Sequence, residues 1–281
     1  MSQTAGDVDV SAWVGNVQEK SVVVPEDLDR VLRGVLDLPP ESGSGPLNGL
    51  HWLLFDEFVP ASEIGPDGHP RRGGFLPPVE LPRRMWAGSR IEFLAPLVAG
   101  DEVTRRSTIL SVTPKEGKAG PLVFVTVEHV VSSARGELIR EQQDIVYMNI
   151  TPAAGRPEPT GFHSETEWST TVAPDEVTLF RYSALTHNSH RIHYDVDYAR
   201  EIELYPSLIV HGPLTATLLM WYSTQCSGDA PLRTFSFRGQ SPLFVGDPIR
   251  LEARRAEDGL QSSARNAAGG VGMSGIATVG S

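Results

Sequence analysis

The segment Arg181-Tyr-Ser-Ala-Leu-Thr-His187-Asn188-Ser-His190-Arg-Ile-His193-Tyr-Asp195 holds three of the chain's eight histidines within seven residues. Imidazole has an ordinary pKa of about 6.5, close to working pH, so a positioned histidine can take a proton from water and return it to carbon. Asn188 stands five residues before His193 and brings an amide that both donates and accepts hydrogen bonds. Metal binding is the first alternative. The spacing opposes it, because His-x2-His-x2-His advances roughly 300° and then 600° around a helix, whereas zinc helices present histidines at i and i+4. A polar loop whose histidines only hydrogen-bond is the second alternative. No metal and no cofactor is expected, since a Gly-x-Gly-x-x-Gly after a strand, a Walker-type Gly-Lys-Ser/Thr and a paired cysteine motif are all missing.

A second candidate lies downstream in Tyr205-Pro-Ser-Leu-Ile-Val-His211-Gly212-Pro213, which runs into the apolar stretch Leu214-Thr-Ala-Thr-Leu-Leu-Met-Trp-Tyr222. Pro213 at a first helical position predicts a helix over 212–222 with Leu214, Leu218, Trp221 and Tyr222 on one face. The Gly212 N–H would then sit at the positive end of the helix dipole, where it can donate to an anionic oxygen; the alternative is a residue that only caps the helix.

Other features bound the answer. The chain has 281 residues with 24 basic and 35 acidic side chains, a net charge of −11, which disfavours a nucleic-acid role. Cys226 is the only cysteine, so no disulfide framework can form within the chain and a reducing, cytoplasmic compartment is expected. The polar stretch 1–20 has no apolar core of a secretion signal, and no run is long enough to span a bilayer, so no membrane association is expected.

The elements that must position these residues come in two sets. Arg90-Ile-Glu-Phe-Leu-Ala-Pro-Leu-Val-Ala-Gly-Asp-Glu-Val103 aligns with Ser236-Phe-Arg-Gly-Gln-Ser-Pro-Leu-Phe-Val-Gly-Asp-Pro-Ile249 at a constant offset of 146, matching Pro96 with Pro242 and Gly100-Asp101 with Gly246-Asp247. A duplication follows, with halves expected at 1–150 and 151–281 and a Pro-rich linker over 151–160. Each half opens with a helix signal, at Pro25-Glu-Asp and at Pro174-Asp-Glu. Strands are predicted over 103–112, 122–131 and 138–148, with a turn over 114–120, and over 249–254; the Gly- and Ser-rich end from 266 gives only a weak strand pattern. In the first half Met85-Trp-Ala-Gly88 occupies the place expected for a central helix, but the helical pattern is lost there.

With the histidine motif, the Val210-His-Gly-Pro213 turn, Leu81-Pro-Arg-Arg-Met-Trp-Ala-Gly88 and the Pro-x3-Gly-Asp repeat in view, the chain resembles the MaoC-like hydratase/dehydratase superfamily. The resemblance is to its double hot-dog branch, with mitochondrial-type 3-hydroxyacyl-thioester dehydratases and itaconyl- and mesaconyl-CoA hydratases. It implies an α+β double hot-dog fold, two tandem antiparallel sheets each wrapped around a helix, with a first half of the fatty-acid-synthase dehydratase type that lacks catalytic residues. The superfamily's hydratase motif is an acid, four residues and a histidine; here His193 takes the histidine position and Asn188 the acid's, which leaves an amide that orients a water without accepting its proton.

The resemblance implies a hydro-lyase of fatty-acid metabolism that interconverts enoyl- and 3-hydroxyacyl-thioesters, with coenzyme A esters as the expected substrates. His193 would act as base and acid on one face, Asn188 would hold the water and Gly212 would stabilise the enolate oxygen, giving syn addition. Arg83, Arg84 and Arg238 are candidates for a coenzyme A phosphate or a substrate carboxylate, against a plain surface role. The rival readings are a thioesterase and a non-catalytic acyl-thioester-binding protein. A homodimer is expected, with a monomer also workable because two fused halves already pair.

Overall fold

A computed structural model describes residues 9–41, 45–55, 58–117, 120–152, 166–257 and 259–280. Most of the expected linker, from 153 on, lies outside the described residues.

Five strands come from each half. In the first they are β1 (Val17–Val23), β2 (Arg83–Phe93), β3 (Glu102–Gly117), β4 (Gly120–Ser133) and β5 (Gly136–Met148), and in the second β6 (Trp168–Val172), β7 (Leu232–Gly239), β8 (Ile249–Ala256), β9 (Gly259–Arg265) and β10 (Val271–Val279). Helices α1 (Leu28–Leu36), α2 (Glu176–Leu185) and α3 (Gly212–Cys226) complete the regular structure with several short turns. Long β-branched runs form the β3–β4–β5 meander because alternate side chains reach one packed face. β3 and β4 are longer than the sequence pattern suggests: Pro114 and Glu116 are still paired, with Val123 and Pro121, inside the expected turn. The Gly- and Ser-rich end from 266 also forms a full strand, because β10 is paired on both sides and its small residues fit against Phe235 and Leu243.

All ten strands join in one sheet in the order β1-β3-β4-β5-β2-β7-β10-β9-β8-β6. Read inward from either edge the order is the same, and β2 and β7 pair antiparallel at the centre. Arg90 faces Ser236 in that pairing, and these two are also equivalent in the sequence repeat (236 − 90 = 146). The duplication axis therefore crosses the sheet at that pair. Met85 to Gly88, expected at the place of a central helix, instead belong to β2 and bulge at Ala87 between Trp86 and Gly88.

The second half wraps its strands around α3, which is apolar on nearly every side and buries Leu214, Leu218, Leu219 and Met220 almost completely. A helix hydrophobic all round belongs in a core. No counterpart of α3 occurs among the described residues of the first half; Leu47, Leu50, Leu53, Leu54 and Phe55 fill that space around the short turn Leu50–Leu53. No described helix is long and apolar enough to cross a membrane.

One buried ion pair ties the halves together. Arg83 Nε donates to Glu203 Oε2 at 2.8 Å, its Nη2 donates to the Glu203 carbonyl, and its guanidinium stacks over the Tyr205 ring at 4.6 Å. Both side chains are under one-tenth exposed. Arg83→Met is expected to lower unfolding free energy by about 3–5 kcal/mol by stranding Glu203, and Arg83→Met with Glu203→Leu to regain most of it, as read by urea denaturation.

Candidate active site

Helix α2 sets the start of the histidine segment. Asp175 Oδ1 caps it by accepting from the Thr178 N–H at 2.8 Å, and at its other end the Asn188 N–H donates to the Ser183 carbonyl at 2.9 Å. His187 takes a left-handed backbone, φ 46°, and turns the chain so that Asn188 Oδ1 accepts from the His190 N–H at 3.0 Å. This bond fixes the Asn188 amide: its oxygen is committed to the backbone, and its NH2 is left as donor. A single turn, Arg191–His193, then buries His193. Asp195 Oδ1 starts the next turn, Tyr198–Ile202, by accepting from the Tyr198 N–H.

His193 Nδ1 lies 2.8 Å from the Ile209 carbonyl. A carbonyl only accepts, so Nδ1 carries the hydrogen and Nε2 presents a lone pair. Ile209 is held in turn, since it bridges to Phe244 and the adjacent Val210 N–H donates to the Leu243 carbonyl at 2.8 Å. Leu243 and Phe244 belong to the second copy of the Pro-x3-Gly-Asp motif, whose local task is to hold the acceptor that orients His193.

Four imidazoles gather here. The His211 ring stacks on His193 with centroids 3.6 Å apart, His190 meets His193 edge-on at 5.6 Å, and His69 from the first half lies 4.3 Å from His190. Burial dominates their titration, lowering His193 to about 4 and His190 to about 3, and holding His69 and His211 well below the usual imidazole range. His211 accepts or shares a bond with Ser183 Oγ at 2.8 Å through Nε2, and its buried Nδ1 has no partner.

His69 arrives on a loop that crosses over the segment. The Arg191 N–H donates to the Asp67 carbonyl at 2.9 Å, Arg191 Nη1 donates to the Pro66 carbonyl at 3.1 Å, and Ser189 Oγ donates to the Gly68 carbonyl. Gly68, at φ +91°, packs so closely that a Cβ there would fall 1.8 Å from the Ser189 oxygen. Sequence reasoning missed His69 because no local motif surrounds it; Gly68 beside it was the available signal.

Gly212 is the first residue of α3, with His211 at the cap and Pro213 following. The first N–H groups of a helix have no acceptor within it, so this end offers donors and a positive dipole. A Cβ built on Gly212 meets nothing within 4 Å, so open space lies beside that N–H.

Of the three candidate arginines, Arg83 is committed to Glu203, and Arg238 is exposed on β7, alternating with the buried Phe237. Arg84 alone lies on the inner face, paired in register with the buried Tyr147 of β5. A cleft of about 1040 Å³ opens beside the site between residues 65–72 and 191–203, and its walls carry Asp67, Asp195, Asp197, Glu201 and Glu203 with Arg71, Arg72 and Arg191. No group of three described His, Cys, Asp or Glu residues is arranged to hold a metal ion.

The model of the hydroxyacyl-thioester dehydratase type 2 family matches residues 49–245. Mesaconyl-C(4)-CoA hydratase of Chloroflexus aurantiacus is 42% identical over 282 aligned positions, covering 97% of this chain and 98% of that one. The chain belongs to the hydroxyacyl-thioester dehydratase type 2 family. The mitochondrial hydroxyacyl-thioester dehydratase type 2 of Schizosaccharomyces pombe is 28% identical, covering 72% of this chain and 76% of that one. Among solved structures, a MaoC-like dehydratase superposes with a TM-score of 0.70 at 16% identity over 96% of this chain and 99% of that one. A Mycobacterium tuberculosis protein described as a double hotdog fold does so with a TM-score of 0.56 at 13% identity, covering 94% and 95%. The double hot-dog architecture thus stands, and this dehydratase-family chain is a hydro-lyase of acyl thioesters.

The buried histidines of this dehydratase-family chain make its stability acid-sensitive. An unfolded histidine protonates near pH 6.5, whereas folded His193 and His190 do so at about 4 and about 3, so between these limits the unfolded state binds more protons. The stability is complete above pH 6.5 and lost as pH falls toward 4, by about 1.4 kcal/mol per pH unit for each such histidine. Thermal melting from pH 8 to 4.5 should show a level midpoint down to about pH 6.5 and a steep fall below it.

Proposed function

We propose that the chain hydrates enoyl-coenzyme A esters, and dehydrates the 3-hydroxyacyl esters, at His193 with Asn188 and Gly212. The observation that carries this is the fixed tautomer of His193, whose Nε2 lone pair is held in a dry site by the Nδ1 bond to Ile209. The Asn188 NH2 donates to a water oxygen, and that water donates to His193 Nε2. As the oxygen adds to Cβ, His193 takes the proton, and the electron pair of the double bond moves to an enolate whose oxygen faces the Gly212 N–H. His193 then returns the proton to Cα, so water is added with no change in oxidation state. One base on one face gives syn addition.

A low pKa suits this task in one respect: His193 is neutral near pH 7, and burial disfavours the imidazolium, which favours handing the proton on. The first half plays a non-catalytic part in this reading. Its buried histidine, His51, has Nε2 at 3.0 Å from Glu141 Oε2, and Trp52 and Ser89 also donate to that carboxylate. Burial alone would raise Glu141, but the bonds and charges around it, His51 foremost, bring it down to about 2. Its lone pairs are taken up by structure.

The substrate suggested by the 42% identical relative is a short enoyl-CoA carrying a second carboxylate, as in mesaconyl-CoA. The test follows loss of the ultraviolet enoyl-thioester band with mesaconyl-C4-CoA and crotonyl-CoA. His193→Ala should lower kcat/KM by ~10²-fold or more while the protein stays folded at the assay pH and its melting midpoint falls less steeply in acid, and wild-type kcat/KM should be level above about pH 5 and fall on the acid side. Release of free thiol without loss of the band through hydration would refute this reading in favour of thioester hydrolysis. Gly212→Ala meets no protein atom. It should fold normally and lose activity ~10-fold or more by intruding on the thioester.

A further inference from the structure

Arg84 is the one candidate arginine that faces inward without a counter-ion. No carboxylate among the described residues pairs with it, whereas Arg83 has Glu203, and neighbouring Arg72 has the carbonyls of Val79, Leu81 and Pro82. Its cross-strand neighbour Tyr147 is fully buried, with the Arg84 guanidinium within reach of its hydroxyl oxygen and no acceptor for the hydroxyl hydrogen. Buried polar groups are normally satisfied, so a hydroxyl hydrogen without an acceptor, next to a guanidinium without a carboxylate, marks a place for an acceptor from outside the chain.

The place adjoins the histidine cluster. The charge of Arg84 helps to keep both His69 and His190 unprotonated, and the His190 ring is 5.6 Å from His193. Asp67, the acid that acts on Tyr147, accepts from the His69 N–H at 3.0 Å. An anion carried on the acyl group of an ester bound at His193 would supply the acceptor that Arg84 and Tyr147 lack.

We propose that Arg84, assisted by the Tyr147 hydroxyl, anchors a carboxylate on or next to the β-carbon of the acyl group, and so makes the site selective for dicarboxylic enoyl thioesters. This rests on the reading of His193 as the centre of hydration. A guanidinium grips a carboxylate through two parallel bonds, and in a low-dielectric site the pair is strong. A neutral enoyl ester would leave Arg84 desolvated and unpaired, which penalises the wrong substrate as well as rewarding the right one. Coenzyme A itself is common to both classes of ester and contributes nothing to this discrimination.

Binding is measured in the His193→Ala background, where no turnover consumes the ligand, by titration calorimetry with mesaconyl-C4-CoA and with crotonyl-CoA. The affinity ratio in favour of the carboxylated ester is expected to be ~10² or more, and to fall below ~5 on adding Arg84→Gln. Tyr147→Phe should reduce the ratio ~10-fold by removing one donor, and Arg84→Lys should keep part of it. Equal weakening of both esters by Arg84→Gln would overturn the proposal, because the arginine would then hold a coenzyme A phosphate or the fold; so would an unchanged ratio. Inertness of the wild-type protein in the ultraviolet assay would count against the hydratase reading alone, since the affinity ratio needs no turnover.

Discussion

The antiparallel seam between β2 and β7 is the constraint on which the rest of the molecule depends. By pairing the innermost strand of each half it turns two five-stranded sheets into one and sets their relation as a near-two-fold rotation about Arg90 and Ser236. Backbone hydrogen bonds of a ladder tolerate no drift in register, since a slip of one residue would turn every side chain to the other face. The start of β2, with Arg83 and Arg84, is thereby brought against the histidine segment of the other half, and the Arg83–Glu203 pair locks that contact. The crossing loop 65–70 adds three more bonds from the first half to residues 189 and 191.

Duplication followed by divergence is visible in how each half uses a buried histidine. In the second half a histidine is tied through one nitrogen to a neutral carbonyl, which orients it and leaves the other nitrogen basic and unoccupied. In the first, His51 is tied to a carboxylate that also serves Trp52 and Ser89, a network whose members satisfy one another. The central helix went the same way. Where the second half keeps α3 and with it a helix N-terminus at the site, the first fills its interior with leucines on an irregular segment, beside a partly open cavity of about 520 Å³ lined by His51, Leu50, Trp221 and others. The irregular segment also frees chain to run across to the other half as the loop bearing His69.

The site is an expensive one to fold. Four imidazoles are packed ring to ring with little solvent, and none of them is paired with a carboxylate among the described residues. Holding them neutral keeps each available as an acceptor or donor at physiological pH, and an unpaired guanidinium nearby reinforces that state. Catalytic geometry here is thus bound up with acid sensitivity of the fold.

Much of this was legible in order. The Pro-x3-Gly-Asp repeat disclosed the duplication, the β-branched runs gave the meander, and Pro213 followed by apolar residues gave α3, because periodicity and proline placement act locally. The density of histidines pointed to the segment 187–193, and the resemblance implied the parts of Asn188, His193 and Gly212 in it. The sequence by itself determined the local elements, the repeat and that motif. Only the tertiary structure decided which nitrogen of His193 is basic, that His69 joins the cluster, and that of three similar arginines one is a buried strut, one is solvated and one is left inward and unpaired. Each of those outcomes depends on partners far away in the chain, brought near by sheet register and burial, and no window of neighbouring residues contains them.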